Sequence, residues 1–512
     1  MIGGRGKTCA AFLVSAAFTA LQFGIAGAQD SGTSTTPATP ATTTTSTTTT
    51  TVPVSNTLSQ GQAIRVGATP RATGGGVSAG QVPSLAVTGR INSEVRFDDN
   101  GSLSATSPGN DLTFQNTLGL DIASNTPVDT LLLSFGGVLQ AEDLASGNEQ
   151  NGFENPFIRF NYQRTGADSQ LGLDAQYRTD DIDDSILIDT DGDLINDTLL
   201  SSSGQVDRTD TRVTYSFGLL APFGMDFSLG RTERDYTNTV DPDLFDFTND
   251  VLDITARFRI NPSVTARLIA QLDNYDAEDV SQTNRDTTNF GAGLNYLIRP
   301  DLTFDGQITL TDIEETTTGG IINNDGISAN ATLTKAVANG TVGVTANRVQ
   351  STGTVRNDIA IARALTLPSG SLSFAAGVSS SDTGDTAIIG SLDYTNQLPS
   401  GVLSANLSRT AATNSDDDEV QRTIFGIAYL HNINSASAMN FGVDLVDVQD
   451  IGTGTVTEGT RADFRVEYSR QVTRDWDWRI GYLGRYSRDS GSSTANSNAI
   501  FTSIGRSFTI RP

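Results

Sequence analysis

The sequence predicts an all-β protein: a closed, antiparallel transmembrane β-barrel of about 22 strands, within a range of roughly 16 to 22. Two observations support this fold class. Apolar and polar residues alternate over many short segments, which is the period of a β-strand. The connections between these segments alternate between short turns and longer polar loops, as in transmembrane barrels.

The first 28 residues are interpreted as a secretory signal peptide. Arg5 and Lys7 provide the positive start, and the apolar run "CAAFLVSAAFTALQFGIA" follows. The small residues "AGA" at 26–28 then offer a cleavage site before Gln29. After this segment no apolar run approaches the roughly 20 residues of a membrane-spanning helix. Cys9, the one cysteine, lies in the signal, which excludes a disulfide framework and a Cys/His zinc cluster.

Residues 29–83 are predicted to form a disordered periplasmic linker. The tract "SGTSTTPATPATTTTSTTTTTV" at 31–52 is too poor in apolar residues to form a core, and residues 53–83 are polar and Gly-rich. We therefore expect no plug domain. The chain would then share the number of strands with plugged, energy-coupled transporters, but not their plug. The linker is also where a periplasmic partner would bind.

The barrel is predicted to occupy residues 84–512. In "LAVTGRINSEVRF", Leu85, Val87 and Ile91 share one face, and Arg90 and Glu94 share the other. Such segments are predicted to begin near residues 85, 111, 129, 156, 170, 209, 223, 250, 263, 287, 301, 326, 341, 355, 371, 386, 401, 421, 437, 460, 475 and 497.

The loop pattern predicts the orientation of the barrel. Short turns such as "LAPFG", "INPS" and "LPSG" alternate with long polar stretches such as 141–155, 179–208 and 313–325. If both chain ends are periplasmic, the loops after odd-numbered strands face outside, and the long ones fall there.

The C-terminal segment carries a more specific motif. Ser503, Gly505, Phe508 and Ile510 follow the order polar-x-Gly-x-x-apolar-x-apolar. From residue 84 onward the chain resembles the Gram-negative outer-membrane β-barrel proteins, in particular porin-like barrels of unassigned function, whose last strand has this assembly signal. It departs from many members in ending with Arg511 and Pro512 rather than at an aromatic residue. The resemblance implies insertion by the barrel-assembly machinery, location in the outer membrane, and lipid and lipopolysaccharide as surroundings.

Charged residues on the polar face of several strands are predicted to line the lumen, because an arginine facing lipid costs about 2–4 kcal/mol at mid-bilayer. Two interpretations are open: a wall that selects solutes by charge, or a salt-bridged filling that keeps the barrel rigid. The late strands would lie beside the first once the barrel closes. The predicted wall residues are Arg90, Glu94, Arg96, Arg257, Arg259, Arg267, Arg461, Asp463, Arg465, Glu467, Asp477, Arg479 and Arg485.

One predicted outer loop contains a calcium-like motif, "DTDGDLIND". Carboxylates suited to a hard cation occur at Asp189, Asp191, Asp193 and Asp197. The stretch resembles the "DxDGDGxxD" calcium repeats of extracellular proteins, but leucines replace the glycine at position 6 and the glutamate at position 12 of a full EF-hand loop. The alternative is a solvated acidic loop. A bound Ca²⁺ would pin this loop or bridge it to lipopolysaccharide.

Aromatic residues mark the expected membrane interfaces. Trp476 and Trp478 open one strand on its apolar face, and His431 ends another on the same face as Tyr429. This histidine is the only one in the chain. Because the serine and aspartate sets of barrel hydrolases need a well-placed histidine, we do not expect an enzyme, and we expect no essential cofactor.

The net charge of −26 argues against a nucleic-acid surface. The sequence therefore predicts an outer-membrane pore for passive diffusion of small hydrophilic solutes. Two alternatives remain: a dedicated channel for export or uptake of an exopolysaccharide, and a structural or adhesive barrel without conduction.

Overall fold

The computed structural model describes residues 84–144, 149–182, 204–239, 244–384, 386–413, 419–452, 458–489 and 493–511. Within these ranges the chain forms one 22-stranded sheet. The strands are β1 (Ser84–Asp98), β2 (Asp111–Asn125), β3 (Asp129–Asp143), β4 (Glu149–Thr165), β5 (Ser169–Asp181), β6 (Gln205–Phe217), β7 (Phe223–Thr237), β8 (Phe247–Asn261), β9 (Val264–Ala277), β10 (Asn284–Arg299), β11 (Leu302–Thr317), β12 (Gly320–Val337), β13 (Gly340–Gln350), β14 (Val355–Leu367), β15 (Gly370–Ser381), β16 (Ala387–Leu398), β17 (Gly401–Thr413), β18 (Glu419–Asn434), β19 (Ser437–Asp450), β20 (Gly459–Gln471), β21 (Trp476–Asp489) and β22 (Ala495–Ile510).

The sheet closes on itself. Each strand pairs antiparallel with the next along the chain, and β1 pairs with β22 from Val87↔Ile510 to Asp98↔Ala499. Closure removes the free sheet edges, which is a condition for a sheet in lipid. The prediction of a closed antiparallel barrel with 22 strands is confirmed.

One face of the sheet carries exposed apolar side chains and forms the lipid-facing belt. On β8, for example, Phe258 and Ile260 are exposed on this face, and Leu252 and Ile254 share it. Asp250 follows on the same face toward the outer end, where the belt stops. At the seam, the ring of Phe508 on β22 lies over Gly89 of β1, so closely that a Cβ at Gly89 would be 2.3 Å from the ring. A glycine is required at this point of closure.

The predicted strand starts are accurate at one end of the barrel and too late at the other. Strands that begin at the periplasmic end start within one residue of the prediction. Among the strands that begin at the outer end, β4, β6, β8, β10 and β12 start three to seven residues earlier than predicted, and β18 and β22 start two residues earlier. Above the lipid belt both faces of a strand meet water, so alternation ends although backbone pairing continues.

The loop predicted at 313–325 is therefore wrong. β11 runs to Thr317 and β12 starts at Gly320, which leaves a turn at Thr318 and Gly319. Gly320 has a φ of 136°, a conformation that favours glycine. The loop predicted at 141–155 is likewise reduced to the connection 144–148. At these places the barrel wall rises above the membrane as a sheet.

Candidate lumen wall

The pairing register assigns each side chain to the lipid face or the lumen face, because residues paired across antiparallel strands share a face. All thirteen predicted wall residues have lumen-face parity. The predicted closeness of first and last strands is also found, since β1 contacts β22 and β22 contacts β21. Between β20 and β21, Asp463 is directly opposite Arg485, whereas Arg479 is opposite Ser469 and Asp477 is opposite Gln471.

Three arginines of this wall are paired with carboxylates, two of which the sequence analysis did not select and one of which, Glu467, it did. Arg90 on β1 bonds Asp121 on β2. Arg461 is 2.5 Å from Asp489, measured from Nη1 to Oδ1. Arg465 is 2.9 Å from Glu467, measured from Nη2 to Oε2. Strand parity alone places Asp121 and Asp489 on the lumen face, so a parity search over all carboxylates would have found them.

Asp98, at the outer end of β1, is the most connected carboxylate of the wall. It accepts hydrogen bonds from Arg96 and from Arg485 of β21, each at 2.8 Å, and from the Ser497 hydroxyl of β22 at 2.6 Å. The backbone N–H of Asn100 donates a further one at 3.0 Å. Asp98 is only 3% exposed. Three strands on both sides of the seam thus share one buried carboxylate.

These contacts cross β22 where its lumen side chains are small. Ser497, Ala499, Ser503 and Gly505 lie on this face, in register with residues of β1 and β21. Phe501 is the large residue among them, and the guanidinium of Arg465 lies over its ring, 5.0 Å from the centroid. Long side chains of β1 and of β20 and β21 can therefore meet above β22. Arg465 and Arg479 lie within electrostatic reach of Glu94 in this way. Ser503 and Gly505 of the predicted assembly signal are two of the small residues that leave room for these contacts.

A second charged region follows the lumen face from β5 to β11. Arg257 and Arg267 are opposite each other on β8 and β9, as predicted neighbours. Arg257 is 2.5 Å from Asp226, and Arg267 is 2.7 Å from Asp305. Arg259 differs, because its guanidinium donates to the carbonyls of Leu219 and Leu220 in the periplasmic turn, each at 3.1 Å. It stabilises the rim rather than the middle of the wall.

The outer end of this region contains an apolar cluster on the lumen side. Leu244, from the connection between β7 and β8, packs with Val206, Tyr236, Phe247 and Tyr275, and all five are buried. The carboxylate of Asp246 accepts the Tyr236 backbone N–H at 2.6 Å, which holds this connection against the wall. Sequence reasoning missed the cluster. Its signal is apolar residues at lumen parity near strand ends.

A buried ion pair also crosses several strands at the outer end. Arg356 on β14 bonds Glu419 on β18, and Arg356 donates to the Ser379 hydroxyl at 2.9 Å. Glu419 is 2% exposed. Arg356 has lumen-face parity, whereas Glu419 starts β18 opposite Thr413 with the same lipid-face parity as His431. The pair therefore joins the outer ends of β14 and β18 at the rim of the barrel. Sequence periodicity gives the face of a residue but not which distant strand its side chain contacts, so this pair was not predicted.

Between these regions lies a part of the wall with short side chains, which we call the small-residue sector. Its members face the lumen on β13 to β16. Charged exceptions on the same strands are Arg356 and Asp358 near the outer end, and Asp393. The sector comprises Thr341, Gly343, Thr345, Ala360, Ala362, Ala364, Ser373, Ala375, Gly377 and Ser391.

The interface residues lie where the sequence predicts them. His431 has lipid-face parity at the periplasmic end of β18, and its Nδ1 is 2.9 Å from the Tyr429 hydroxyl and 3.3 Å from the Ser400 hydroxyl. The indole of Trp478 donates to the Thr502 hydroxyl at 3.0 Å. Arg506 lies over the ring of Trp476, 5.6 Å from its centroid.

The calcium-like motif at Asp189, Asp191, Asp193 and Asp197 lies outside the described residues. In the part of the chain that the structure covers, no group of three or more acidic, histidine or cysteine side chains is arranged to hold a metal ion. The same part contains no helix long and apolar enough to cross a membrane.

Comparison with known proteins identifies the fold. No family model and no curated protein matches the sequence. The structure is similar to the FrpB iron transporter from Neisseria meningitidis, with a TM-score of 0.55 and 8% identity over 84% of this chain and 83% of that chain. It is also similar to the ferric-catecholate import receptor Fiu from E. coli, with a TM-score of 0.52 and 10% identity over 84% of this chain and 82% of that chain.

A mutant of the ferric enterobactin receptor from Pseudomonas aeruginosa gives a TM-score of 0.51, with 10% identity over 82% of this chain and 81% of that chain. At such identities the likeness concerns the fold. Together with the lipid-facing belt and the closed seam, it shows that the described residues between 84 and 511 form a closed β-barrel of the outer-membrane type. The location in the Gram-negative outer membrane predicted from the sequence agrees with this fold.

Proposed function

We propose that the barrel transports small hydrophilic solutes through its lumen by diffusion. The observation that carries this proposal is the lumen face itself, which combines charge-paired walls with the small-residue sector. Arginines and carboxylates are matched in pairs such as Arg267 with Asp305 and Arg461 with Asp489. A polar wall without a large excess of one sign suits varied hydrophilic solutes, and selectivity for ions should be weak.

The outer mouth is where such solutes would be sorted by size. The cluster around Leu244 lies on the lumen side near the outer end. Its side chains are larger than those of Ala362 and Ala375 farther down, so it occupies more of the lumen cross-section. The cluster therefore supports a limit on solute size rather than a strong charge filter.

The proposal includes a lumen without a separate plug domain. Barrels of 16–18 strands leave aqueous channels, and 22-stranded outer-membrane transporters hold a plug. The described residues are used in strands and their connections, and the Thr/Pro tract at 31–52 has too few apolar residues for a packed plug.

Conductance measures this function directly. The mature chain, refolded and inserted into planar lipid bilayers, should give stable single-channel currents with weak ion selectivity. Liposomes containing it should swell in small sugars and not in large ones. A correctly folded barrel that gives neither current nor swelling would contradict the proposal.

A second candidate function is uptake of a metal chelate. The similar structures are named as an iron transporter and a ferric-catecholate import receptor, and such proteins share this barrel fold. Saturable quenching of protein fluorescence by a ferric catecholate, in a barrel that carries no current, would favour this candidate over passive diffusion.

A further inference from the structure

A groove crosses the lipid face of the barrel over β10 to β14. Its volume is about 660 Å³. Gly306, Ala331 and Ala346 form its floor and are paired across β11, β12 and β13 in one row. Ala292 and Ala329 continue the floor in the next row toward the outer end. Small residues on four neighbouring strands, β10 to β13, therefore leave a depression in the belt between larger side chains.

Larger apolar side chains form the walls of this groove. Phe304 closes it on the periplasmic side, and its ring lies over Gly306, where a Cβ would be 2.7 Å from the ring. Leu294 and Ile308 border it on β10 and β11. A groove with such a lining, inside the lipid belt, matches a hydrocarbon chain in both polarity and position.

Arg348 lies at the outer end of the groove. It is opposite Ala329, so it has lipid-face parity, and it is exposed. Its guanidinium donates to the carbonyl of Ile327 and to the Asn357 side chain, each at 3.2 Å. The cost of an arginine on the lipid face falls toward the membrane interface, so Arg348 belongs at the level of the lipid headgroups.

Arg348 is the lipid-face cation near the outer end of this part of the described chain. Other lipid-face cations of β10 to β14 in the described chain, Arg299, Lys335 and Arg363, lie toward the periplasmic ends of their strands. Asp312 and Asp325 lie farther outward on β11 and β12 and are opposite each other. An anionic headgroup on the outer side of the belt is therefore attracted at Arg348 and repelled beyond it.

We propose that this groove binds one phosphorylated lipid of the outer leaflet, with an acyl chain along Gly306, Ala331 and Ala346 and a phosphate at Arg348. The chemistry is that of a lipid A-type glycolipid. Arg348 can offer a charge-assisted hydrogen bond to the phosphate, which adds to the apolar contacts of the chain. This site does not depend on whether the lumen conducts.

The test measures lipid retention by the whole mature protein. The barrel is purified in detergent without divalent cations, which removes bridging by the nearby carboxylates. Diphosphoryl lipid A is then titrated, and the bound fraction is read by native mass spectrometry. We expect one lipid A to be retained. Arg348→Gln should weaken its binding about tenfold, because a hydrogen bond to a charged group is lost. Ala331→Phe and Ala346→Phe should abolish retention by filling the groove.

Two matched substitutions serve as controls. Arg488→Gln removes an exposed arginine from the lipid face at the outer end of β21, and Ala462→Phe enlarges an alanine on the lipid face of β20. Both lie away from the groove and should leave retention unchanged. Arg348→Gln changes an exposed residue, so it tests the proposal even if the groove-filling variants fail to fold.

Several outcomes would overturn the assignment. Equal retention of lipid A by the wild type and by Arg348→Gln, or of dephosphorylated lipid A by the wild type, would exclude the phosphate contact. Equal retention of phosphatidylglycerol would show that the outer-leaflet lipid is not the ligand. A dimer in sedimentation that Ala346→Phe dissociates would assign the groove to a second copy of the chain instead.

Discussion

The lumen wall near the seam and the small-residue sector are built from the same kind of strand, but they use their lumen face in opposite ways. At the seam, β22 has small lumen side chains and lies between two strands with charged ones. The space above Ser497 and Ala499 is therefore filled by Arg485 of β21 and Asp98 of β1. On β13 to β16 neighbouring strands are small together, so the space stays open. The grouping of small residues, and not their number, decides where the lumen is free.

The two regions should therefore differ in function: the seam stabilises the fold, and the small-residue sector lines the route for solutes. The seam joins the two ends of the sheet through buried, charge-assisted hydrogen bonds, and loss of one partner leaves another charge buried without compensation. The small-residue sector contributes little to such networks, and its short side chains occupy little of the lumen beside β13 to β16. Substitutions in the first region should affect folding, and those in the second should affect conduction.

The largest effect is expected from Asp98→Asn. The change keeps the side-chain shape but removes the negative charge shared by Arg96, Arg485 and Ser497. Because Asp98 is buried, we expect a loss of about 3–5 kcal/mol in the free energy of unfolding, as for a broken buried ion pair. Urea titration of the folded barrel in lipid measures it. Asp477→Asn, an exposed lumen carboxylate, is the control and should change stability little.

Filling the small-residue sector should reduce conduction without this loss of stability. Ala362→Trp places an indole in the lumen on β14, whereas Ile361→Trp places the same group on the lipid face one residue away. Single-channel conductance should fall for the first variant and not for the second. Equal conductance in the two variants would place the passage elsewhere.

Ion selectivity should respond to charge in both regions. Arg479→Gln removes a cation near Glu94 and should shift the reversal potential in a salt gradient toward cations. Ala375→Arg adds a cation to the small-residue sector and should shift it toward anions. The shifts should shrink at high salt, because screening shortens the reach of each charge. If Arg479→Gln changes nothing, the charged wall does not line the conducting path.

A smaller effect is expected of low pH on the stability of the outer turns beside the small-residue sector. The Thr354 hydroxyl, at 2.6 Å, and the Val355 backbone N–H, at 2.7 Å, donate to Asp382 and lower the pKa of its carboxyl. A lowered pKa stabilises the turns at pH values above the ordinary pKa of an aspartate, and this contribution is lost as the pH falls through the lowered value. After correction for the intrinsic pH dependence of amide exchange, the protection factors of residues 351–354 and 382–384 should therefore fall in acid, and less so in Thr354→Val.

The smallest effect is expected at the calcium-like motif, because one loop would be involved. If Asp189, Asp191, Asp193 and Asp197 bind Ca²⁺, the ion should slow proteolysis within 179–208 and leave the barrel unchanged. Asp191→Asn with Asp193→Asn should remove that protection. Cleavage that is insensitive to both calcium and chelator would mean that the loop is only acidic.

The sequence allowed the strands, their faces and the seam to be predicted, because lipid on one side and water on the other impose alternation along each strand. It failed where that contrast ends. The outer part of the hairpin of β11 and β12 was predicted as a loop, because both faces of residues 321–325 are exposed to water and the apolar–polar alternation is lost there. The partners Asp98, Asp121 and Glu419 were missed for a different reason: parity gives the face of a residue, but pairing depends on height and on the reach of a side chain across neighbouring strands.

The position of Asp98 has a consequence for biogenesis. It lies on the first strand, while Arg485 and Ser497 lie on the last two. Two of the hydrogen-bond donors to this carboxylate are therefore synthesised last. A truncated chain, or one that closes with the wrong terminal strand, would leave Asp98 with Arg96 but without Arg485 and Ser497. We therefore expect an incomplete barrel to be less stable at the seam than a complete one.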